Sequence, residues 1–245
     1  MSVTSPENVS IMQWPVDHAT TLAVARIGFT PAPIDLDGFR RAGIDCPDSI
    51  AASVPKRRAE FFHGRLCARA AIGLLGRDAP QIGIGPMREP LWPAGLVGSI
   101  THAADLAAAV VLPLASGYRG VGLDIETVLG DDGAREVGGV VASADETRYL
   151  AAFEQALGRN VPLTLLFSAK ESFFKAVHGA VGRYFNFDAL ELERLDVAAR
   201  RMHFRQCEDL GPDLPPGSRH AVHFQLLDAA HVATVCLWRR GGEIA

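Results

Sequence analysis

Ser99-Ile-Thr-His-Ala-Ala-Asp-Leu-Ala-Ala-Ala-Val110 reads as a β-hairpin, with strands over 97–101 and 107–112 joined by a turn at 103–105. A stretch of similar texture, Leu226-Leu-Asp-Ala-Ala-His-Val-Ala-Thr-Val235, joins strands expected at 220–227 and 231–238. Each hairpin closes a segment that opens on a strand and carries a long helix. In the first, the alternation Leu22-Ala-Val-Ala-Arg-Ile27 is the strand, and Asp48 or Ser49 caps a helix whose body runs over 55–75 and stops at Gly76. Phe62, Leu66 and Ala70 recur at helical spacing and form its apolar face. Residues 83–93, rich in Gly and Pro, read as a loop.

In the second segment a strand at 118–127 leads to an Asp/Gly loop at 130–133. Ser143 with Glu146 makes a capping box for a helix reaching about Leu157. Another helix opens near Pro162 and runs through His178, and strands follow at 189–197 and 200–207. The linker Pro-Leu-Ala-Ser-Gly at 113–117 separates the segments, so the expected domains are 1–113 and 114–245. The layout predicts an α+β fold of two similar helix-plus-antiparallel-sheet halves related by a pseudo-twofold. A site drawing on both halves is expected in the cleft between them.

Composition narrows the class. The chain has 245 residues, of which 48% are hydrophobic and 21% charged, as in an ordinary soluble globular protein. A net charge of −4 argues against a nucleic-acid binder, which carries a basic excess. Cys46, Cys67, Cys207 and Cys236 form no C-x-x-C pair, so neither zinc nor a disulfide framework is indicated. Cys67 and Cys236 lie in apolar runs and read as buried free thiols, which fits a reducing cytoplasm. Residues 1–10 lack the charged and apolar regions of a signal peptide. The longest apolar run, 106–115, contains Pro113 and is too short to span a bilayer, so no membrane association is expected.

Lysine is scarce: three residues against twenty-one arginines. Two of the three, Lys170 and Lys175, flank a carboxylate in Phe167-Ser-Ala-Lys-Glu-Ser-Phe-Phe-Lys175. Lys is a compact point charge that suits one phosphate oxygen or a proton relay. Glu171 and Lys175, at i and i+4, share a helix face; as a surface pair they would contribute only a few tenths of a kcal/mol. Asp124 and Glu126, two apart in Val121-Gly-Leu-Asp-Ile-Glu126, project from one strand face, while Val121, Leu123 and Ile125 point into the core. Such a carboxylate pair is either a solvent-facing edge or a site for Mg²⁺, which takes one or two carboxylates with substrate phosphates. His102 ends a strand where a ring nitrogen can reach a phosphate or simply be solvated. Arg57, Arg58, Arg65 and Arg69 sit on one helix, and spacing does not say which of them would grip a phosphate. Phosphate-loop, dinucleotide and G-x-S-x-G motifs are all absent.

In order, these segments resemble the 4′-phosphopantetheinyl transferases of the long, pseudodimeric group, over roughly residues 55 to 190. The resemblance rests on Arg57…Glu60-Phe61…Gly64-Arg65-x-Cys67-Ala68 and on Pro90-x-Trp92-Pro93-x-Gly95-x-x-Gly98-Ser-Ile-Thr-His102. It rests equally on Gly122-x-Asp124-x-Glu126 and Phe167-Ser-x-Lys170-Glu171-Ser-x-x-Lys175. The Glu-Phe-x-x-Gly-Arg and Trp-Pro features favour the branch of enterobactin synthase component D.

The resemblance implies Mg²⁺-dependent transfer (with Mn²⁺ as an alternative) of the phosphopantetheine arm of coenzyme A to a serine of an apo acyl or peptidyl carrier protein, releasing 3′,5′-ADP. It implies Asp124, Glu126 and Glu171 as magnesium ligands, Glu171 also as the base, and Lys170 and Lys175 as pyrophosphate contacts. Arg57, Arg65 and His102 match residues that hold the coenzyme's phosphates, with Ser99 and Thr101 shaping that turn. Gly85, Pro86 and Arg88 fall in the loop beside the adenine. Phe167 stands where the family often has Trp, and Ile84 and Met87 where some relatives have lysines, leaving Arg88 as the basic side chain of that loop. Serine attack on a diphosphate needs charge neutralised on the transferred and leaving groups and an acceptor for the hydroxyl proton, and these residue types supply both.

Carrier recognition helices are acidic in this family, so with a net charge of −4 any complementary basic patch is local. The two fused halves imply a monomer. A Mg²⁺-dependent nuclease or phosphohydrolase would use similar groups but predicts a basic face, which the composition does not show. A catalytically dead binding module would have lost one of these positions, and none is lost.

Overall fold

A computed structural model describes residues 8–30 and 32–239. The expectation about the first ten residues therefore falls largely outside the described part. The chain divides into two compact units, one ending at Ser116 and the next beginning at Gly117.

The first unit starts with antiparallel strands β1 (Ser10–Pro15) and β2 (Thr21–Gly28). Helix α1 (Leu36–Ala42) follows, capped by Asp35, whose side chain accepts from the Gly38 amide. It ends on Gly43 in the left-handed region. Next come α2 (Asp48–Ala51) and α3 (Pro55–Gly73). Asp48 belongs to α2 rather than capping the long helix, which opens with Pro55 in its first turn and no side-chain cap. The expected 83–93 loop contains two short paired strands, β3 (Gly83–Ile84) and β4 (Pro90–Leu91). Strands β5 (Leu96–Ala103) and β6 (Leu106–Pro113) form the hairpin read from the sequence, and the sheet order is β1-β2-β6-β5. Helix α3 packs on this sheet, with Cys67, Ala68, Ala71 and Ile72 meeting Ala25, Ala107 and Ala109. Small residues thus predominate on both surfaces of this contact.

The second unit starts with β7 (Gly120–Thr127). Helix α4 (Asp131–Val141) then occupies the segment expected to begin as a loop. Gly133, Gly138 and Gly139 weaken its helical signal, while Val137 and Val141 dock it on the core. Helix α5 (Ala144–Ala151) carries the capping box of Ser143 and Glu146. The expected continuous helix to Leu157 breaks at Ala152–Phe153, where Phe153 turns in against the core, and resumes as α6 (Glu154–Leu157). Helix α7 (Val161–Val181) ends on left-handed Gly182. Strands β8 (Leu190–Asp196), β9 (Arg201–Gln206), β10 (Arg219–Leu226) and β11 (His231–Trp238) complete an antiparallel sheet of order β7-β11-β10-β9-β8. Asp228 ties the β10–β11 turn by accepting from the amides of Ala230 and His231. Leu165, Ala169, Phe173 and Val177, at helical spacing along α7, fill this core with Met202, Phe204 and Val222.

The two units share a layout: a strand (β2 or β7), a long helix, then a hairpin whose second strand (β6 or β11) pairs antiparallel with that strand. The fold is α+β with antiparallel sheets. Cys67 and Cys236 are buried free thiols. Among the described residues no helix is long and apolar enough to cross a membrane.

Candidate active site

Each unit carries its own group of candidate residues. In the second unit the group stands on the seam between β7 and α7. Gly120 and Gly122 face the helix with nothing between: a Cβ on either would run into the carbonyl oxygen of Ala176 or Ser172. This close approach places short side chains of β7 within reach of α7. Asp124 and Glu126 follow on the same strand face, and Val121, Leu123 and Ile125 are buried on the other.

Asp124 is 3% exposed and held at both oxygens. Ser168 Oγ donates to Oδ2 at 2.8 Å, and Lys175 Nζ donates to Oδ1 at 2.6 Å. Lys175 also donates to the Leu123 carbonyl. Burial pushes the Glu126 carboxyl up to about 8, with Asp124 and Glu171 adding to the rise and Lys175 opposing it. Burial likewise raises Glu171, with Lys175 opposing and Asp124 reinforcing. Three carboxylates and one ammonium thus share a partly dehydrated neighbourhood with too little positive charge. Hard oxygen donors short of a cation suit a divalent metal of the Mg²⁺ type. Among the described residues no three such side chains already close a metal cage.

Lys170 goes elsewhere. Its ammonium donates to the Val141 carbonyl at 2.8 Å and lies 3.0 and 3.1 Å from the two oxygens of Glu146. Glu146 also accepts from the amides of Ser143 and Leu192. Burial lowers the Lys170 pKa and Glu146 opposes that shift. The aliphatic stem of Lys170, with Glu171, Phe174, Tyr184, Phe185 and Phe187, lines a mostly apolar cavity of about 180 Å³. Phe167 packs edge-on against Phe187 beside it.

In the first unit Arg57 Nη1 lies 3.2 Å from His102 Nε2, and Glu60 stands 3.7 Å from both side chains. The other arginines separate by partner. Arg58 donates to the carbonyls of Ala51 and Ser53, and Arg69 to those of Ala42 and Gly43. Arg65 donates to Ile82 O and Gly83 O and stacks over Phe61. Burial, with Arg57 contributing, lowers its pKa to about 10. It therefore props the strand leading into Gly85–Arg88, where Arg88 adopts a left-handed conformation and is exposed. Gly85 is buried and Pro86 exposed. Ser99 and Thr101 alternate with His102 along β5, so they lie buried on the opposite face of the sheet.

Sequence reasoning passed over Glu146 as anything but a cap, and missed Thr234 and the role of Ser168. Thr234 sits opposite Asp124 in the β7–β11 register, a long-range pairing that no local pattern announces.

Two family models match the chain: "4'-phosphopantetheinyl transferase N-terminal domain" over residues 47–112 and "4'-phosphopantetheinyl transferase superfamily" over residues 120–236. Enterobactin synthase component D of Salmonella typhi is 37% identical over 64% of this chain and 63% of its own length. 4'-Phosphopantetheinyl transferase Svp of Streptomyces mobaraensis is 35% identical over 69% of this chain and 67% of its own. 4'-Phosphopantetheinyl transferase PptT of Mycobacterium tuberculosis is 38% identical over 57% and 59%. The chain thus spans less than two thirds of the length of the first and third of these relatives.

Proposed function

Because the chain belongs to the 4′-phosphopantetheinyl transferase family, we propose that it moves the phosphopantetheine arm of coenzyme A onto a serine hydroxyl of an apo acyl or peptidyl carrier protein, releasing 3′,5′-ADP. The observation that carries this reading is the group on the β7–α7 seam: Asp124, Glu126 and Glu171 around the Lys175 ammonium.

Asp124, Glu126 and Glu171 would hold a Mg²⁺ ion. When bound, it neutralises charge on the pyrophosphate. Lys175 supplies a point charge to a pyrophosphate oxygen, exchanging part of its contact with Asp124 Oδ1 for the substrate. A Glu171 oxygen accepts the serine proton, and the partly dehydrated setting that raises its pKa makes it a stronger base. Arg57 and His102 bind coenzyme phosphate, and Arg65 positions the Gly85–Arg88 loop on the adenine side. The cavity beside Glu171 seats the uncharged arm, with the Lys170 stem as a wall. Lys170 then contributes through position, because its ammonium is already engaged by Glu146 and Val141. We place the enzyme in the cytoplasm as a monomer, with carrier proteins as its partners.

Incubation with coenzyme A, Mg²⁺ and a panel of apo fatty-acid, polyketide and peptide carriers, read by intact mass, tests the proposal. A gain of about 340 Da on the carrier serine is expected, the mass of the arm as a covalent modification. No gain on any carrier overturns it.

A further inference from the structure

Behind Asp124 lies a cluster of hydroxyls that the proposed chemistry does not use. Ser168 and Ser172, one turn apart on α7, and Thr234 on β11 are each 0% exposed. Ser168 Oγ lies 2.9 Å from Thr234 Oγ1, which in turn is 2.8 Å from the Ser168 carbonyl and 3.1 Å from Ser172 Oγ. Ser172 donates to the Ala169 carbonyl at 3.0 Å.

A hydroxyl carries one proton, which gives the cluster a direction. A carboxylate oxygen only accepts, so the contact at 2.8 Å commits the Ser168 proton to Asp124 Oδ2. The Thr234 proton must then go to Ser168 or Ser172, and each of its possible acceptors belongs to α7. Thr234 therefore bridges β11 to the turn of α7 that carries Ser168, and Ser168 sets the rotation of the Asp124 carboxylate. With Oδ2 held from behind, Oδ1 is the oxygen presented to Lys175. The shape of the site does not demand hydroxyls here. The neighbours that share its face of β11, Val232 and Cys236, are buried and apolar, and valine would fill the same volume as threonine.

We propose that Ser168 and Thr234 are positioning residues that hold the Asp124 carboxylate in the orientation needed to bind a divalent cation through Oδ1. This rests on the reading of Asp124 as a metal ligand. Neither residue touches substrate, and Thr234 acts through Ser168.

Binding of Mn²⁺ alone to the full-length protein, followed by the loss of its free-ion spin-resonance signal, provides a readout independent of turnover. Ser168→Ala is expected to weaken Mn²⁺ binding roughly tenfold or more, the usual scale for losing a hydrogen bond to a charged group. Thr234→Val is expected to weaken it by a smaller factor of about three, with the fold retained. Activity against Mg²⁺ concentration should shift to higher Mg²⁺ in both variants, with kcat at saturating Mg²⁺ and affinity for 3′,5′-ADP near wild type. Thr234→Ser, which restores the hydroxyl, should recover most of the loss. Unchanged Mn²⁺ affinity in both variants, with wild type binding normally, overturns this inference alone. Failure of the wild-type protein to bind Mn²⁺ overturns the metal reading and this inference together. Should Ser168→Ala not fold, the Thr234→Val and Thr234→Ser pair decides the question.

Discussion

Two lysines five residues apart on α7 make the same kind of pair with a carboxylate and end up in opposite regimes. Lys170 and Glu146 have side chains 2% and 5% exposed, and their other hydrogen bonds among the described residues go to backbone groups: Val141 O, Ser143 N and Leu192 N. Lys175 meets Asp124 with its own side chain 27% exposed. The first pair joins α5, α7, β8 and the end of α4 and is closed to any newcomer. The second is open on one side, so a phosphate or a cation can enter. A motif that reads as one functional unit, Lys170-Glu171…Lys175, therefore divides between holding the helix and serving the site. What decides the division is the dehydration of each ammonium and the number of backbone partners around it.

The largest effect should come from breaking the closed pair. Glu146→Ala leaves the Lys170 ammonium buried without its acid and removes the side-chain half of the α5 capping box that Glu146 supplies, so a loss of about 3–5 kcal/mol in unfolding free energy is expected by urea titration. Lys170→Met together with Glu146→Gln should recover much of it, since no charge is left buried and the Gln oxygen can still accept from the Ser143 and Leu192 amides. A loss under about 1 kcal/mol for Glu146→Ala would collapse the contrast.

Another buried basic group sharpens the comparison, because among the described residues no acid is paired with it. His220 is 4% exposed and hydrogen-bonds Gln206 through Nε2, and among the described residues Nδ1 finds no hydrogen-bond partner. Burial lowers its pKa to about 4, below the ordinary value near 6.5. The unfolded chain then takes up the proton first. Its contribution is complete above about pH 6.5 and is lost as pH falls towards 4, to a total of about 3 kcal/mol. Unfolding midpoints measured from pH 7.5 to 4.5 should show that slope, and His220→Phe should flatten it.

The smallest effect on stability belongs to the open pair. Lys175→Met should change unfolding free energy by much less than Glu146→Ala, because the lysine is partly exposed and Ser168 still donates to the buried Asp124 carboxylate. Turnover should fall roughly 10²-fold, because the charge acts on the transition state. A stability loss matching that of Glu146→Ala would make Lys175 a second structural lysine.

Much of this was legible in the residues. The period-two placement of Asp124 and Glu126 and the helical spacing of Glu171 and Lys175 put these side chains on facing surfaces, and both hairpins stand where their alternation placed them. Local patterns could not show that Lys170 would find Glu146, 24 residues earlier, because that pairing exists only after α5 docks on α7. Helix α4 was hidden by its three glycines, which lower propensity without forbidding a helix held by tertiary contacts. The placement of Ser99 and Thr101 opposite His102 was available from strand alternation alone. Of the four arginines on α3, Arg58 and Arg69 could be told apart only once the 42–53 segment had folded against the helix, and Arg65 only once Ile82 and Gly83 had.

The bare contact of Gly120 and Gly122 with α7 also governs how the site opens. Where two backbones touch with no side chain between them, a rotamer change cannot loosen the join, and solvent enters only if the helix lifts from the strand. Amide protons along that stretch of α7 and β7 should accordingly exchange together, with one shared opening energy close to that of global unfolding. Asp124, Glu126, Glu171 and Lys175 are released in that same event, so the second unit should have no partly melted form that keeps some of them in place.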